Sequence, residues 1–217
     1  NQGPVDTHFS VETPAQSIHD QKSSGRCWMF SGFNVLRSNF AKAHGDSLKV
    51  ELSHDYLFFY DQLEKANLML QGVIDNAKKP IDDTRMQFFF KSPINDGGTF
   101  CGVADLADKY GVVPMSIVPE TYSAENPSRI SRLVASKLRE FGLELRDMVA
   151  KGKNAKAINE RKTQMLATIY NMLSMTLGEP VKEFTYAFTD KNGKTVGTPK
   201  KYTPKEFFHE VVGLSLI

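Results

Sequence analysis

From Cys27 onward, Phe30, Phe33, Leu36, Arg37 and Phe40 recur at three- and four-residue spacing. That spacing predicts a helix with one face in a core and Cys27 in its first turn. The residues before it, Lys22, Ser23, Ser24, Gly25 and Arg26, read as a polar turn. A helix that starts there presents its unpaired N–H groups and the positive end of its dipole to Cys27. The thiol is therefore expected to ionise below its ordinary value of ~8.5, and the thiolate is the nucleophilic form. Residue type alone favours a plainer role, because free cysteine is commonly a small buried hydrophobe.

The surroundings of Cys27 decide between the two. Gln21 lies six residues before it, Gly25 two before, and Trp28 directly after. Acyl transfer needs donors placed for an oxygen that becomes negative, and a side-chain amide looping back to a helix N-terminus supplies one. The run QKSSGRCW followed by FSGFNVLR resembles the papain-like cysteine peptidases. Ser24 and Arg26 depart from the secreted cathepsins, which carry a cysteine and a small residue at those places. The resemblance is to the bleomycin hydrolase and aminopeptidase C branch. It implies thiolate attack by Cys27 through an acyl-enzyme, with Gln21 and the Cys27 backbone N–H as the oxyanion hole. It also implies peptide substrates cleaved from their amino ends, a specificity that the family sets with its own C-terminal end.

A second informative stretch, NDGGTFCGVADLADKYG, spans residues 95–111. Gly97 and Gly98 permit positive backbone angles and close approach of another backbone. Val103, Leu106, Ala107 and Tyr110 form a helical stripe ended by Gly111. Asp96, Gly97, Gly98 and the following DLADKYGVVP match the same branch. By that resemblance Gly97 and Gly98 pair with a substrate strand, Trp28 joins the substrate site, and Thr99 and Phe100 are pocket neighbours.

The remaining chain supplies a scaffold. Residues 1–19, with Pro4 and Pro14, read as an extended arm that leaves His8 and His19 facing solvent. A turn at Gly45 and Asp46 follows the first helix. Ser53 caps a second helix of about two dozen residues, with Leu57, Phe58, Phe59, Tyr60, Leu63 and Leu68 on a broad apolar face and His54 in a structural position. ELSHDYLFFYDQLEKAN again resembles the branch. Pro80, Asp82 and Asp83 precede a short helix with Phe88, Phe89 and Phe90 that ends near Pro93. Two amphipathic helices follow, 128–152 and 155–178, joined by KGKN. The first is lined by Ile130, Leu133, Val134, Phe141, Leu145 and Met148, the second by Ile158, Met165, Ile169, Leu173 and Leu177. The branch carries such an insertion and uses it in a ring of six subunits; a hairpin packed on its own domain is the alternative.

A β-hairpin turning at 190–193 comes next. Thr203, Pro204 and Glu206 then open a capped helix that reaches Gly213, and the apolar tail 213–217 reads as the start of a strand. The expected fold class is α+β: a papain-like cysteine proteinase fold, mainly its helical half, with a helical insertion and a β-hairpin. The divisions are an arm at 1–19, the helical domain with the nucleophile at 20–127, the insertion at 128–180, and the start of a strand-rich half at 181–217.

Composition excludes more than it suggests. A net charge of +2 with 24% charged residues gives no nucleic-acid signature, and the lysines at 151, 153 and 156 and at 191, 194, 200 and 201 read as solvated faces. Two cysteines, Cys27 and Cys101, lack metal-ligand spacing, so neither a metal nor a cofactor is expected, and Cys101 reads as buried or spare. No apolar run approaches the ~20 residues that span a bilayer. Sparse cysteine fits the cytoplasm and is equally compatible with a periplasmic or secreted location, since the chain does not open with Met.

Catalysis needs a base and a group to orient it. His209, on a capped helix, lacks the strand context of a papain-like base and reads as a surface residue. The catalytic His and Asn are thus expected downstream, and the chain is expected to be the first portion of a longer protease, incomplete alone. Two other readings stay open: an inactive, protease-derived peptide-binding or assembly module, and another Cys-His acyl-transfer enzyme.

Overall fold

The computed structural model describes residues 8–10, 12–13, 17–44, 47–190 and 192–212. The turn expected at Gly45 and Asp46, the prolines at 4 and 14 and the tail after 212 lie outside the described residues. Helix α1 spans Cys27–Ala43 and buries Met29, Phe33, Leu36 and Phe40 along the stripe that the spacing predicts. Strand β1 (Leu48–Lys49) leads to α2 (His54–Asp75), whose first turn is capped by the Ser53 hydroxyl, which accepts the Tyr56 N–H at 3.2 Å. Helix α3 (Thr84–Lys91) carries the three phenylalanines, and α4 (Phe100–Tyr110) follows the Gly-Gly loop. After the short α5 (Tyr122–Glu125) come α6 (Ser128–Ala150) and α7 (Ala155–Leu177), joined by a tight connection.

Helix α2 is the centre of the helical layer. It buries Tyr56, Leu57, Phe58, Phe59, Ala66, Met69, Leu70 and Val73 and packs against α1, α3, α4, α6 and α7. The α6–α7 hairpin therefore covers its own domain. Helix α6 seats Ile130, Val134, Leu138, Phe141 and Leu145 at three- and four-residue intervals. Two residues expected on apolar faces lie outside them: Leu133 is 54% exposed and Leu68 is 66% exposed. Each is displaced by its neighbourhood, since Val134 and Met69, one position on, point into the core.

The strands β2 (Phe184–Asp190) and β3 (Thr195–Tyr202) form the expected hairpin, and β1 pairs antiparallel with β2 to give a three-stranded sheet of order β1-β2-β3. The Asp190 carboxylate accepts the N–H groups of Asn192 and Lys194 and fixes the turn. Phe188 stacks on Phe40 with centroids 5.6 Å apart, which docks the sheet on the end of α1. Thr203 and Glu206 make a capping box around α8 (Pro204–Glu206). The helix expected to run on from there widens instead into a π-helical turn, Phe207–Val212, with the adjacent Phe207 and Phe208 both buried. The fold is α+β and mostly helical, and among the described residues no helix is long and apolar enough to cross a membrane.

Gly111 joins the two ends of this architecture. Its backbone (φ 77, ψ −170) lies in a region that essentially only glycine adopts. A Cβ there would overlap the Pro204 backbone, whose carbonyl accepts the Val112 N–H at 3.2 Å. Replacing Gly111 with Ala is expected to cost about 2 kcal/mol or more in urea unfolding, combining backbone strain with overpacking.

Candidate active site

The turn before α1 folds on itself. The Lys22 N–H donates to Asp20 Oδ1 at 2.7 Å, and Lys22 takes a positive φ of 54°. Ser24 Oγ donates to the Gln21 carbonyl at 2.6 Å, and Gln21 Nε2 donates back to the Ser24 carbonyl at 2.7 Å. The second Gln21 amide hydrogen has no partner among the described residues. The Ser23 N–H reaches the Glu125 carbonyl at 3.1 Å and ties the turn to α5. Cys27 is the first residue of α1 and is exposed, with its thiol free. Trp28, directly after it, is buried.

Loop 95–98 lies against this turn. Gly25 N–H donates to Asp96 Oδ2 at 2.6 Å, and the Trp28 indole N–H donates to the Asp96 carbonyl at 2.9 Å. The Trp28 ring packs on Gly98 so closely that a Cβ there would lie 2.5 Å from it. The structure thus brings Cys27, Trp28, Gly97 and Gly98 together, with Gln21 in the adjoining turn. Neither Gly97 nor Gly98 has positive φ, contrary to one of the reasons expected for them. Gly98 is needed for the approach of a side chain, Trp28, and not for its backbone angle. Both glycines are exposed, and among the described residues the Gly98 backbone N–H and C=O are unpaired.

Helix α2 grips the same loop from its other side. Lys65 Nζ donates to the Gly97 carbonyl at 2.6 Å, to the Asn95 carbonyl at 3.0 Å and to Asp61 Oδ2 at 2.8 Å, and it sits 5.5 Å above the Trp28 ring. Gln62 Nε2 also donates to the Asn95 carbonyl, at 2.9 Å. Sequence reasoning missed these residues. In the run Asp-Gln-Leu-Glu-Lys, Asp61 and Lys65 stand four apart and read as an ordinary surface ion pair.

A buried ionic cluster under α1 was equally invisible. Arg26, 0% exposed, pairs with Glu120 at 2.9 Å, donates to Ser24 Oγ at 2.9 Å, and places its guanidinium about 5 Å from the Phe30 and Phe58 rings. His54 stacks on Phe30 with centroids 3.7 Å apart and faces Glu120 at 3.4 Å. Burial outweighs that carboxylate and holds the His54 pKa below its ordinary value. Burial also acts on Glu120, but His54 and Arg26 prevail and keep its pKa low. Asp55 accepts the Thr121 N–H at 3.0 Å, yet burial lifts its pKa to about 7. Arg37, 1% exposed, pairs with Glu51 at 2.8 Å, and Glu51 also holds His19 at 2.9 Å. His19 is therefore not solvent-facing as expected: its side chain closes over Glu51, and burial lowers its pKa.

Other expected positions resolve simply. Cys101 is exposed and free, and so not buried. His209 is exposed on the terminal turn, and His44 contacts the Phe40 carbonyl. None of His19, His44, His54 and His209 hydrogen-bonds Cys27. Among the described residues no group of three or more His, Cys, Asp or Glu could hold a metal.

An exposed thiol opening a buried helix, with a Gly-Gly loop bound to its turn, defines the helical part of a papain-like peptidase fold. The crystal structure of PepW from Lactobacillus rhamnosis HN001 matches it with a TM-score of 0.89 at 35% identity, over 97% of this chain and 47% of that one. A family model described as the Peptidase C1-like family matches residues 2–217, and the chain belongs to that family. It is 40% identical to aminopeptidase C of Lactobacillus delbrueckii subsp. lactis over 213 residues, 98% of this chain and 47% of the relative. It is 36% identical to human bleomycin hydrolase over 207 residues, 94% of this chain and 45% of the relative. The chain spans about half the length of the curated relatives it matches. The branch read from QKSSGRCW is thus the one to which the chain is similar.

Two outcomes are expected for the buried cluster. Glu120→Ala leaves the Arg26 guanidinium buried and unpaired, at a cost of about 3–5 kcal/mol in denaturant unfolding. Asp55 has a raised folded-state pKa, so the folded protein holds this proton more tightly than the unfolded chain does. Its destabilising effect is absent below the ordinary value of 3.8, grows as pH rises and is complete above about 7. Urea midpoints measured across that window are expected to fall less steeply with rising pH for Asp55→Asn than for the parent, in which His54 and Glu120 are the same.

Proposed function

We propose that this chain carries the nucleophile half of a cysteine aminopeptidase. The observation that carries the reading is the placement of an exposed Cys27 at the first position of α1, beside Gln21 and the unpaired edge of Gly98. Cys27 attacks the scissile carbonyl as the thiolate, the nucleophilic form of the side chain. The tetrahedral oxyanion is held by the Cys27 backbone N–H and by the second amide hydrogen of Gln21. The peptide adds as a strand to Gly98, with Gly97 and Trp28 shaping that side of the cleft.

The base that takes the thiol proton and returns it to the leaving amine is a histidine oriented by an asparagine, both from sequence following residue 217. Water then releases the acyl group from Cys27. Residues 181–217 begin that second half. The α6–α7 hairpin, with Leu133, Leu143 and Met175 directed outward, contributes to a homo-oligomer, a hexamer by family resemblance. A cytoplasmic enzyme without cofactor fits this reading.

The test uses the full-length protein. Cys27→Ala is expected to abolish release of amino-terminal residues from peptides. Gln21→Ala is expected to lower kcat by about 10²–10³ with little change in KM. N-acetylated peptides are expected to resist cleavage. Peptide hydrolysis that survives Cys27→Ala would sink the proposal, and peptide binding without cleavage would favour a protease-derived binding module instead. Residues 1–217 alone are expected to show no turnover.

A further inference from the structure

We propose that Asp96 is a positioning residue that sets the distance between the substrate-pairing edge at Gly98 and the nucleophile Cys27. The assignment rests on the peptidase reading above. Among the described residues, Asp96 is the one that hydrogen-bonds both flanks of Cys27. Its carboxylate accepts the Gly25 N–H, two positions before, at 2.6 Å, and its carbonyl accepts the Trp28 indole N–H, one position after, at 2.9 Å. Gly98 follows two residues later with the Trp28 ring against its Cα. A substrate strand paired with Gly98 is thereby held at a spacing that Asp96 dictates.

Three features make this a gauge and not merely a contact. The bond from the Gly25 N–H to Asp96 Oδ2 is short, 2.6 Å, and direct. Gly25 leaves no room for slack: a Cβ there would stand 2.6 Å from Asp96 Oδ1. The loop is also held from behind, where Lys65 donates to the carbonyls of Asn95 and Gly97 and Gln62 donates to that of Asn95. Loop 95–98 is thereby tied to α2, and the Asp96 side chain fixes its reach toward Gly25 in the turn before Cys27.

Length and acceptor character of residue 96 should then matter more than its charge. In the full-length protein, Asp96→Ala is expected to lower kcat/KM on peptides roughly 10–100-fold, the scale of a small misplacement of reacting groups. Labelling of Cys27 by iodoacetamide, which uses no substrate strand, is expected to stay within about two-fold of the parent rate, because no reacting group is lost. Asp96→Asn, whose amide oxygen still accepts from Gly25, is expected to restore kcat/KM to within about three-fold, whereas Asp96→Glu, one methylene longer, is expected to remain impaired about ten-fold. Should the Ala variant fail to fold, the Asn–Glu contrast decides. Glu as active as Asn, or iodoacetamide labelling falling in step with peptide hydrolysis, would overturn the assignment. An active parent with an unchanged Asp96→Ala variant overturns the Asp96 role alone; an inactive parent overturns the peptidase reading with it.

Discussion

Two arginines buried beneath α1 constrain this structure more than any other feature. A guanidinium removed from water costs several kcal/mol unless an anion meets it, and its pKa is too high for it to shed its proton instead. Arg26 and Arg37, both among the largest fully buried side chains, therefore require carboxylates delivered from elsewhere in the chain. Glu120 comes from the segment before α5, and Glu51 from the approach to α2. Meeting that requirement fixes the path of both segments. It also draws in Ser17 and His19, and so ties residues just before the turn that precedes Cys27 to the underside of α1. The turn that presents Cys27 rests on a layer that is charged and enclosed.

Much of the fold was legible because it follows from periodicity and local chemistry. The stripe from Phe30 to Phe40, the Ser53 cap, the α6–α7 hairpin, the turn at 190–193 and the Thr203–Glu206 box each depend on neighbours in sequence. The failures share a cause. Whether Leu68 and Leu133 face inward depends on which helix covers them, and no local pattern encodes that. His19 was read as a surface residue because its partner, Glu51, is distant in sequence. The run into Gly213 was read as one continuous helix, although the wider turn at Phe207–Val212 answers to where two adjacent phenylalanines can be buried.

The site divides in the same way. Cys27, Gln21, Trp28, Gly97 and Gly98 stand out as candidates through the resemblance their motifs carry. The groups that hold them do not. Lys65, Gln62 and the two hydrogen bonds of Asp96 are long-range, and each uses a residue type common on any surface. Gly98 shows the difference most clearly, because only one of the two reasons for singling it out holds: its φ is not positive, and its missing Cβ makes space for an indole.

The position of α2 gives the molecule a property that no single contact has. It is walled by α6 and α7 on one flank and by α1 and α4 on another, so neither layer can detach without exposing the apolar surface of a helix it shares. The α6–α7 hairpin and the layer that carries Cys27 thus share one apolar wall. Because Gln62 and Lys65 project from that common wall into loop 95–98, the two outer helices, which carry none of the candidate site residues, act as a buttress for the loop beside Trp28.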